Sequence, residues 1–192
     1  FMDEEAIDLV CETKTPIVPT FTFQANLADF GEIIGASSDY REIFRKEIID
    51  NCEIFKKIHD AGVPLLCGTE SGFSMTPYGE WHYRELEVFV NDIGMSNLES
   101  IVCATKNASK ALKMDGQVGT LENNMLADIL ILDENPLKDI TVLGDKSKIS
   151  SIILNGREID RSIPIPEITP PQGWRLSPYS DKILTQNIAK NR

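Results

Sequence analysis

The chain has 192 residues, 42% of them hydrophobic and 26% charged, with a formal net charge of -11 and a pI of about 4.6. That balance supports a globular core and excludes a disordered tail. A surface this acidic repels phosphate, which argues against nucleic acid and anionic membranes as partners, and no apolar run reaches the ~18 residues of a membrane helix.

The acidic start, Asp3-Glu4-Glu5, precedes apolar Ala6, Ile7, Leu9 and Val10, so a short helix is expected up to Cys11. After Pro16, the β-branched and aromatic run Ile17 to Phe23 predicts a strand. Asn26 to Asp39 reads as a loop with some helix. From Tyr40 to Ala61, Ile43, Phe44, Ile48, Ile49, Cys52, Phe55 and Ile58 recur at three- and four-residue spacings, which predicts a long helix ended by Gly62. The uninterrupted apolar run Val63 to Gly68 predicts a strand covered on both faces, giving the order strand, helix, strand of a βαβ unit.

A loop rich in Gly, Ser, Thr, Pro and aromatic residues follows from Ser71 to Tyr83. Three helical segments are then expected: Arg84 to Ile93, Ser96 to Cys103 and Lys106 to Leu112. Ser96 with Glu99 has the spacing of a capping box. At Gly116 the pattern changes to β, with strands expected at Ile129 to Leu132 and Ile149 to Leu154 and a hairpin turn at Asn155-Gly156. The proline-rich residues 161–192 read as an extended tail, partly disordered or draped over a partner.

Four cysteines, Cys11, Cys52, Cys67 and Cys103, form no CxxC pair. Their spacing excludes a zinc ribbon or a disulfide framework and fits a reducing cytoplasm. No GxGxxG or P-loop pattern occurs, which sets a nucleotide-binding enzyme aside.

In a parallel α/β layout, functional side chains sit at the C-terminal ends of strands. Glu70, in Cys67-Gly68-Thr69-Glu70-Ser71-Gly72, falls two residues after such a run. Spacing alone leaves two readings open: a turn carboxylate closing the strand end, or a carboxylate delivered to a site. The two histidines are His59, late in the long helix and read as a packing or surface residue, and His82, in the loop beyond Glu70. His82 is a candidate substrate-binding residue, with a plain loop role as the alternative. Phe73, Tyr78 and Trp81 either shape an apolar pocket there or pack the loop.

The ordered set Ala61-Gly62-Val63, Gly68-Thr69-Glu70-Ser71-Gly72, Glu85-Leu86, Ala104-Thr105 with Asn107-Ala108, Gly116, Gly119, and Ala127 to Leu132 with Asn135-Pro136-Leu137 resembles the C-terminal part of the amidohydrolase superfamily, in its imidazolonepropionase-like group. The resemblance implies the last two strands and helices of a (β/α)8 TIM barrel over residues 1–115, part of a composite β-sandwich over 116–160, and the tail over 161–192. It implies a metal-dependent hydrolase that cleaves a C–N bond of an amide, cyclic amide or dipeptide-like substrate. Glu70 takes the place of the carboxylate that both binds metal and acts as base; the family usually has Asp there. The cofactor implied is a divalent metal that activates water, zinc by resemblance, one or two ions in the full-length enzyme, with this chain alone expected to bind one at Glu70 or none.

The family's other ligands, a His-x-His pair and further histidines on earlier strands, have no place in this sequence. A full barrel takes about 250 residues. The chain is therefore expected to be an incomplete portion, inactive alone, that folds against a missing N-terminal portion or a swapped copy in a homo-oligomer. The alternative is a non-catalytic fragment or paralogue that acts as a binding or assembly module.

Overall fold

The computed structural model describes residues 2–164, 180 and 182–190. Helix α1 spans Glu4–Thr13, where the Asp3 side chain accepts the Ala6 N–H at 2.9 Å and satisfies one of the free donors of the first turn. The helix ends on Lys14, in left-handed conformation with φ 55°.

The two predicted βαβ strands are reduced to a single parallel bridge, Ile17 to Leu65. Ile17 N–H donates to the Pro64 carbonyl at 3.1 Å, and Leu66 N–H donates to the Ile17 carbonyl at 2.9 Å. The reason is local. Pro19 and Pro64 lack the N–H a ladder needs, and Thr20 turns the chain with φ 62°. Helix α2 then starts at Thr22 and runs to Phe30, so the end of the expected strand and the start of the expected loop are helical. A 3-10 turn over Gly31–Ile34 follows.

Helix α3 spans Ser38–Asp60, two residues earlier at its start than the periodicity suggests, because Ser37 caps it. Gly62 has φ 80°, as the expected stop requires. Helix α4 covers His82–Val88 and continues as a π turn over Phe89–Ile93. Helix α5, Asn97–Val102, opens with the expected capping box: Ser96 N–H donates to Glu99 Oε2 at 2.8 Å, and Glu99 N–H donates to Ser96 Oγ at 3.2 Å. A second π turn, Cys103–Asn107, joins it to α6, Ala108–Ala111, so the two short helices expected here are one continuous helical stretch.

The β unit is an antiparallel meander of β1, Ile129–Leu132, β2, Ile149–Leu154, and β3, Arg157–Glu158. The hairpin turn falls at Asn155-Gly156, as the dipeptide predicts, with φ 50° and 75°. Gln186–Lys190 forms a short helix α7, and Leu184 before it is fully buried. This part of the sequence is thus packed and helical where an extended tail is expected. Most of the remaining tail expectation concerns residues outside those described.

Helices α2, α3 and α4 share the main core. Phe21, Ala25 and Ala28 meet Ile48, Cys52, Phe55 and Ile58 of α3, with Val63 and Leu65 from the bridge segment and Val88, Phe89 and Ile93 from the α4 stretch. Phe21 and Phe55 stand edge to face at 5.4 Å. A second cluster gathers Leu27, Ile34, Met75, Trp81, Leu184 and Ala189. The segment 66–81, which gives Met75 and Trp81 to the second cluster, carries most of the residues of interest. Among the described residues, no helix is long and apolar enough to cross a membrane.

Candidate active site

The segment begins where the chain leaves the parallel bridge. A Cβ on Gly68 would lie 2.5 Å from Cγ1 of Val18, so the absence of a side chain lets the two strand ends approach. Thr69 is nearly buried, and Glu70 then takes φ 48°, a left-handed conformation disfavoured for a residue with a Cβ. Two contacts hold that turn: the Thr76 hydroxyl donates to the Glu70 carbonyl at 3.2 Å, and Gly72 N–H donates to the Thr76 carbonyl at 2.9 Å. The turn leaves Glu70 exposed between buried Thr69 and half-buried Ser71.

His82 lies beside this turn. Gly79 N–H donates to His82 Nε2 at 3.2 Å, so Nε2 is an acceptor and the neutral ring carries its proton on Nδ1. Nδ1 lies 3.1 Å from Thr69 Oγ1, and Thr69 Oγ1 lies 2.8 Å from Ser71 Oγ. His82 Nδ1–H then donates to Thr69 Oγ1, and the Thr69 and Ser71 hydroxyls share a hydrogen bond in which either can be the donor. The histidine thus joins the loop to the two residues that flank Glu70. Phe73 and Tyr78 of the same loop are exposed, whereas Trp81 is buried in the second core cluster. His59 stands elsewhere, on α3, with Nε2 3.9 Å from Glu99.

The residue that most strongly ties this region together is Glu85. It is fully buried on α4. One oxygen accepts the Phe21 N–H at 2.9 Å; the other accepts the Thr22 N–H at 2.8 Å and the Thr22 hydroxyl at 2.7 Å. The two N–H donors belong to the start of α2, so a side chain from α4 caps α2 from outside. Burial pushes the Glu85 carboxyl up to about 7, against the downward pull of its hydrogen bonds to Phe21 and Thr22. In the sequence, Glu85 is visible only as part of the Glu85-Leu86 family pattern. Its position on the buried stripe Trp81, Glu85, Leu86, Val88 and Phe89 is the signal that marks it as internal.

Asn26 makes a second tie of the same kind. It is buried in α2, and its Nδ2 donates to the Met75 carbonyl at 2.8 Å. Arg84 extends the network on the outer side, ion-paired to Asp29 and to Glu87 at 2.7 Å, with its guanidinium 5.7 Å from the Phe30 ring centroid.

Among the described residues, no three His, Cys, Asp or Glu side chains come together as a metal's ligands would. The local groups are one exposed carboxylate on the turn and, bonded to each other, a hydroxyl pair and an imidazole, which do not fit a complete metal centre. The thiols do not add to it. Burial pushes Cys52 up to about 12 and Cys103 up to about 11, and it also raises Cys67. All four cysteines are free. An open groove lined by Leu121, Asn123, Met125, Leu126 and Ile129 belongs to the β-unit side and contains none of these residues.

The Amidohydrolase family model matches residues 24–159, more than half of the chain, and the chain belongs to that family. It is 33% identical over 98 residues to ochratoxinase from Aspergillus niger, a match that covers 50% of this chain and 19% of that protein. Among solved structures, it is similar to a Xaa-Pro dipeptidase with methionine bound in its active site, at a TM-score of 0.67 and 26% identity over 83% of this chain and 38% of that one. It is also similar to a putative prolidase from Bifidobacterium longum, at a TM-score of 0.71 and 25% identity over 86% and 42% of the two chains. The chain thus spans about a fifth of the curated relatives it matches and well under half of these structures.

Proposed function

We propose that this chain is the C-terminal portion of a metal-dependent hydrolase that cleaves a C–N bond of an amide, cyclic amide or dipeptide-like substrate, and that it is inactive alone. The observation that carries this reading is Glu70: an exposed carboxylate on a left-handed turn, directly beyond the Ile17–Leu65 bridge, in a chain of the amidohydrolase family. The name of a dipeptidase among its structural relatives supports the dipeptide-like class.

In this reading residues 1–115 are the last strands and helices of a (β/α)8 barrel, residues 116–160 are part of a composite sandwich, and a missing N-terminal portion or swapped copy completes both. Glu70 would be the one ligand this chain offers to a divalent metal, zinc by family pattern; with the ligands of the missing portion, such a metal would supply an activated water. Glu70 takes the proton of the attacking water as the new C–O bond forms and returns it to the nitrogen as the C–N bond breaks. Thr69, Ser71 and His82 hold the turn on which the carboxylate stands, and His82 contacts substrate from the loop. The four free thiols support a reducing, cytoplasmic setting.

The test is a panel of dipeptides, N-acyl amino acids and cyclic amides offered to the full-length protein, its Glu70→Gln variant and the isolated 192-residue chain. Turnover by the full-length protein, lost in the variant and absent from the isolated chain, is the expected result. Turnover by the isolated chain overturns the incompleteness, and an unaffected variant overturns the role of Glu70. A second reading, a non-catalytic binding or assembly module, draws on the absent metal cluster among the described residues. A full-length protein that is folded, metal-free and inert across the panel favours it.

A further inference from the structure

The loop that flanks Glu70 has little regular structure of its own. Its internal backbone bonds are short-range: Gly72 to Thr76, Thr76 to Phe73, and Glu80 to Pro77. Such a segment opens easily unless something outside it holds it. Two things do. One is the His82–Thr69 contact already described; the other comes from the far C-terminal part of the chain.

Leu184 is fully buried among Leu27, Ile34, Met75 and Trp81. Its N–H donates to the Ser74 carbonyl at 2.7 Å, and its carbonyl accepts the Trp81 Nε1–H at 2.7 Å. Two residues on, Gln186 N–H donates to Glu80 Oε2 at 3.0 Å, and its side-chain amide donates to the Glu80 carbonyl. The other Glu80 oxygen meets Lys146 Nζ at 2.9 Å. All four bonds from Leu184 and Gln186 land between Ser74 and Trp81. The loop is thus gripped at both ends, by a segment more than a hundred residues away in sequence, while exposed Phe73 and Tyr78 remain on its open side.

We propose that Leu184 and Gln186 are positioning residues of the active site, a strap that fixes the 72–82 loop against Glu70 and so sets how substrate is held. The catalytic arm of this inference rests on the function proposed above; the positional arm does not. Leu184 supplies the apolar anchor and two backbone bonds. Gln186 ties down Glu80, the residue immediately before Trp81 and His82. The strap touches no reacting atom, so its effect is on substrate binding more than on the chemical step.

The test uses the full-length protein with Leu184→Asp, Leu184→Met and Gln186→Ala. Hydrogen exchange is followed in peptides covering residues 72–82 and residues 38–60. Leu184→Asp is expected to speed exchange in 72–82 by about tenfold or more while 38–60 stays at the wild-type rate; Leu184→Met restores protection. Gln186→Ala gives a smaller rise, about threefold, confined to the same loop. With an amide substrate, KM rises about tenfold in Leu184→Asp and kcat stays within about twofold. Wild-type exchange in 72–82 for both Leu184→Asp and Gln186→Ala overturns the proposal, as does an equal loss in kcat and kcat/KM with KM unmoved. Should Leu184→Asp unfold the whole protein, speeding 38–60 equally, Gln186→Ala decides by the presence or absence of its local rise. A wild-type protein that hydrolyses no amide defeats the functional reading alone, and the exchange result still judges the strap.

Discussion

Glu85 Oε2 accepts both the backbone N–H and the hydroxyl of Thr22, a residue 63 positions earlier, and so the helix that follows the Glu70 loop is locked to the start of α2. A carboxylate buried this deeply trades solvation for these bonds, and its protonation becomes part of the fold's stability.

The first expected outcome follows from that. The Glu85 carboxyl sits near 7 in the fold because burial outweighs its hydrogen bonds, against an ordinary 4.5. The folded pKa is raised, so its stabilising contribution is complete below 4.5 and is lost as pH rises through 7. The difference amounts to on the order of 3 kcal/mol. Urea unfolding across this window in wild type and Glu85→Gln checks it: the variant should lack that part of the decline. Parallel pH profiles in the two proteins would falsify the assignment.

Glu70 should separate function from stability. Its side chain is exposed and its backbone has φ 48°, so Glu70→Gly relieves a strain of about 1 kcal/mol and raises the melting temperature. The same change removes the proposed base and should lower the amide hydrolysis of the full-length protein by about 100-fold or more. Calorimetry and kinetics on one variant decide the matter. A loss of both stability and activity would mean the carboxylate serves the fold.

Asn26→Ala should be destabilising by about 1–2 kcal/mol, since it strips the buried Met75 carbonyl of its donor. The loss is moderated because Asn26 Oδ1 is itself buried with no hydrogen-bond partner among the described residues. Asn26→Asp should cost more, because it turns an acceptor and a charge towards that carbonyl. Thermal unfolding of the two variants gives the ranking, and an Asp variant as stable as the Ala variant would contradict it.

The thiols provide a fourth check. With Cys52 pushed up to about 12 and Cys103 up to about 11 by burial, alkylation of these two in the native protein should run at least ~100-fold slower than in urea. Site-resolved mass spectrometry after timed labelling measures this. Rapid native labelling at either position would show that the core around α3 and the α5 stretch opens far more readily than its packing implies.

Much of the helical framework was legible because it obeys local rules. The periodicity of α3, the stop at Gly62, the Ser96–Glu99 box and the Asn155-Gly156 turn depend on neighbours a few residues away. The periodic stripe overstated burial, however: Ile43 and Ile49 are more than half exposed. The parallel strands misled because a β-rich composition does not reveal a missing ladder. Two prolines and the left-handed Thr20 leave one bridge where the apolar runs suggest two strands.

The site divides the same way. As candidates, Glu70 is visible as a carboxylate directly after an apolar run and His82 as a histidine in the loop beyond it. Glu85, Asn26 and the Leu184–Gln186 strap are not, because each acts through a partner far away in sequence, and no local pattern carries such a pairing.

The contact between Val18 and the bare α-carbon of Gly68 ties two positions that the sequence keeps 50 residues apart. A side chain at 68 requires Val18 to turn or shrink, whereas Val18 can shrink alone. Gly68→Ala alone should be poorly tolerated, whereas Gly68→Ala combined with Val18→Ala should recover much of the loss. Across descendants of this chain, the two positions should trade volume, so that bulk gained at 68 is given up at 18. A library randomised at both sites and selected for folded protein would display that exchange as a correlated pair, and it would show how narrowly the approach to the Glu70 turn is dimensioned.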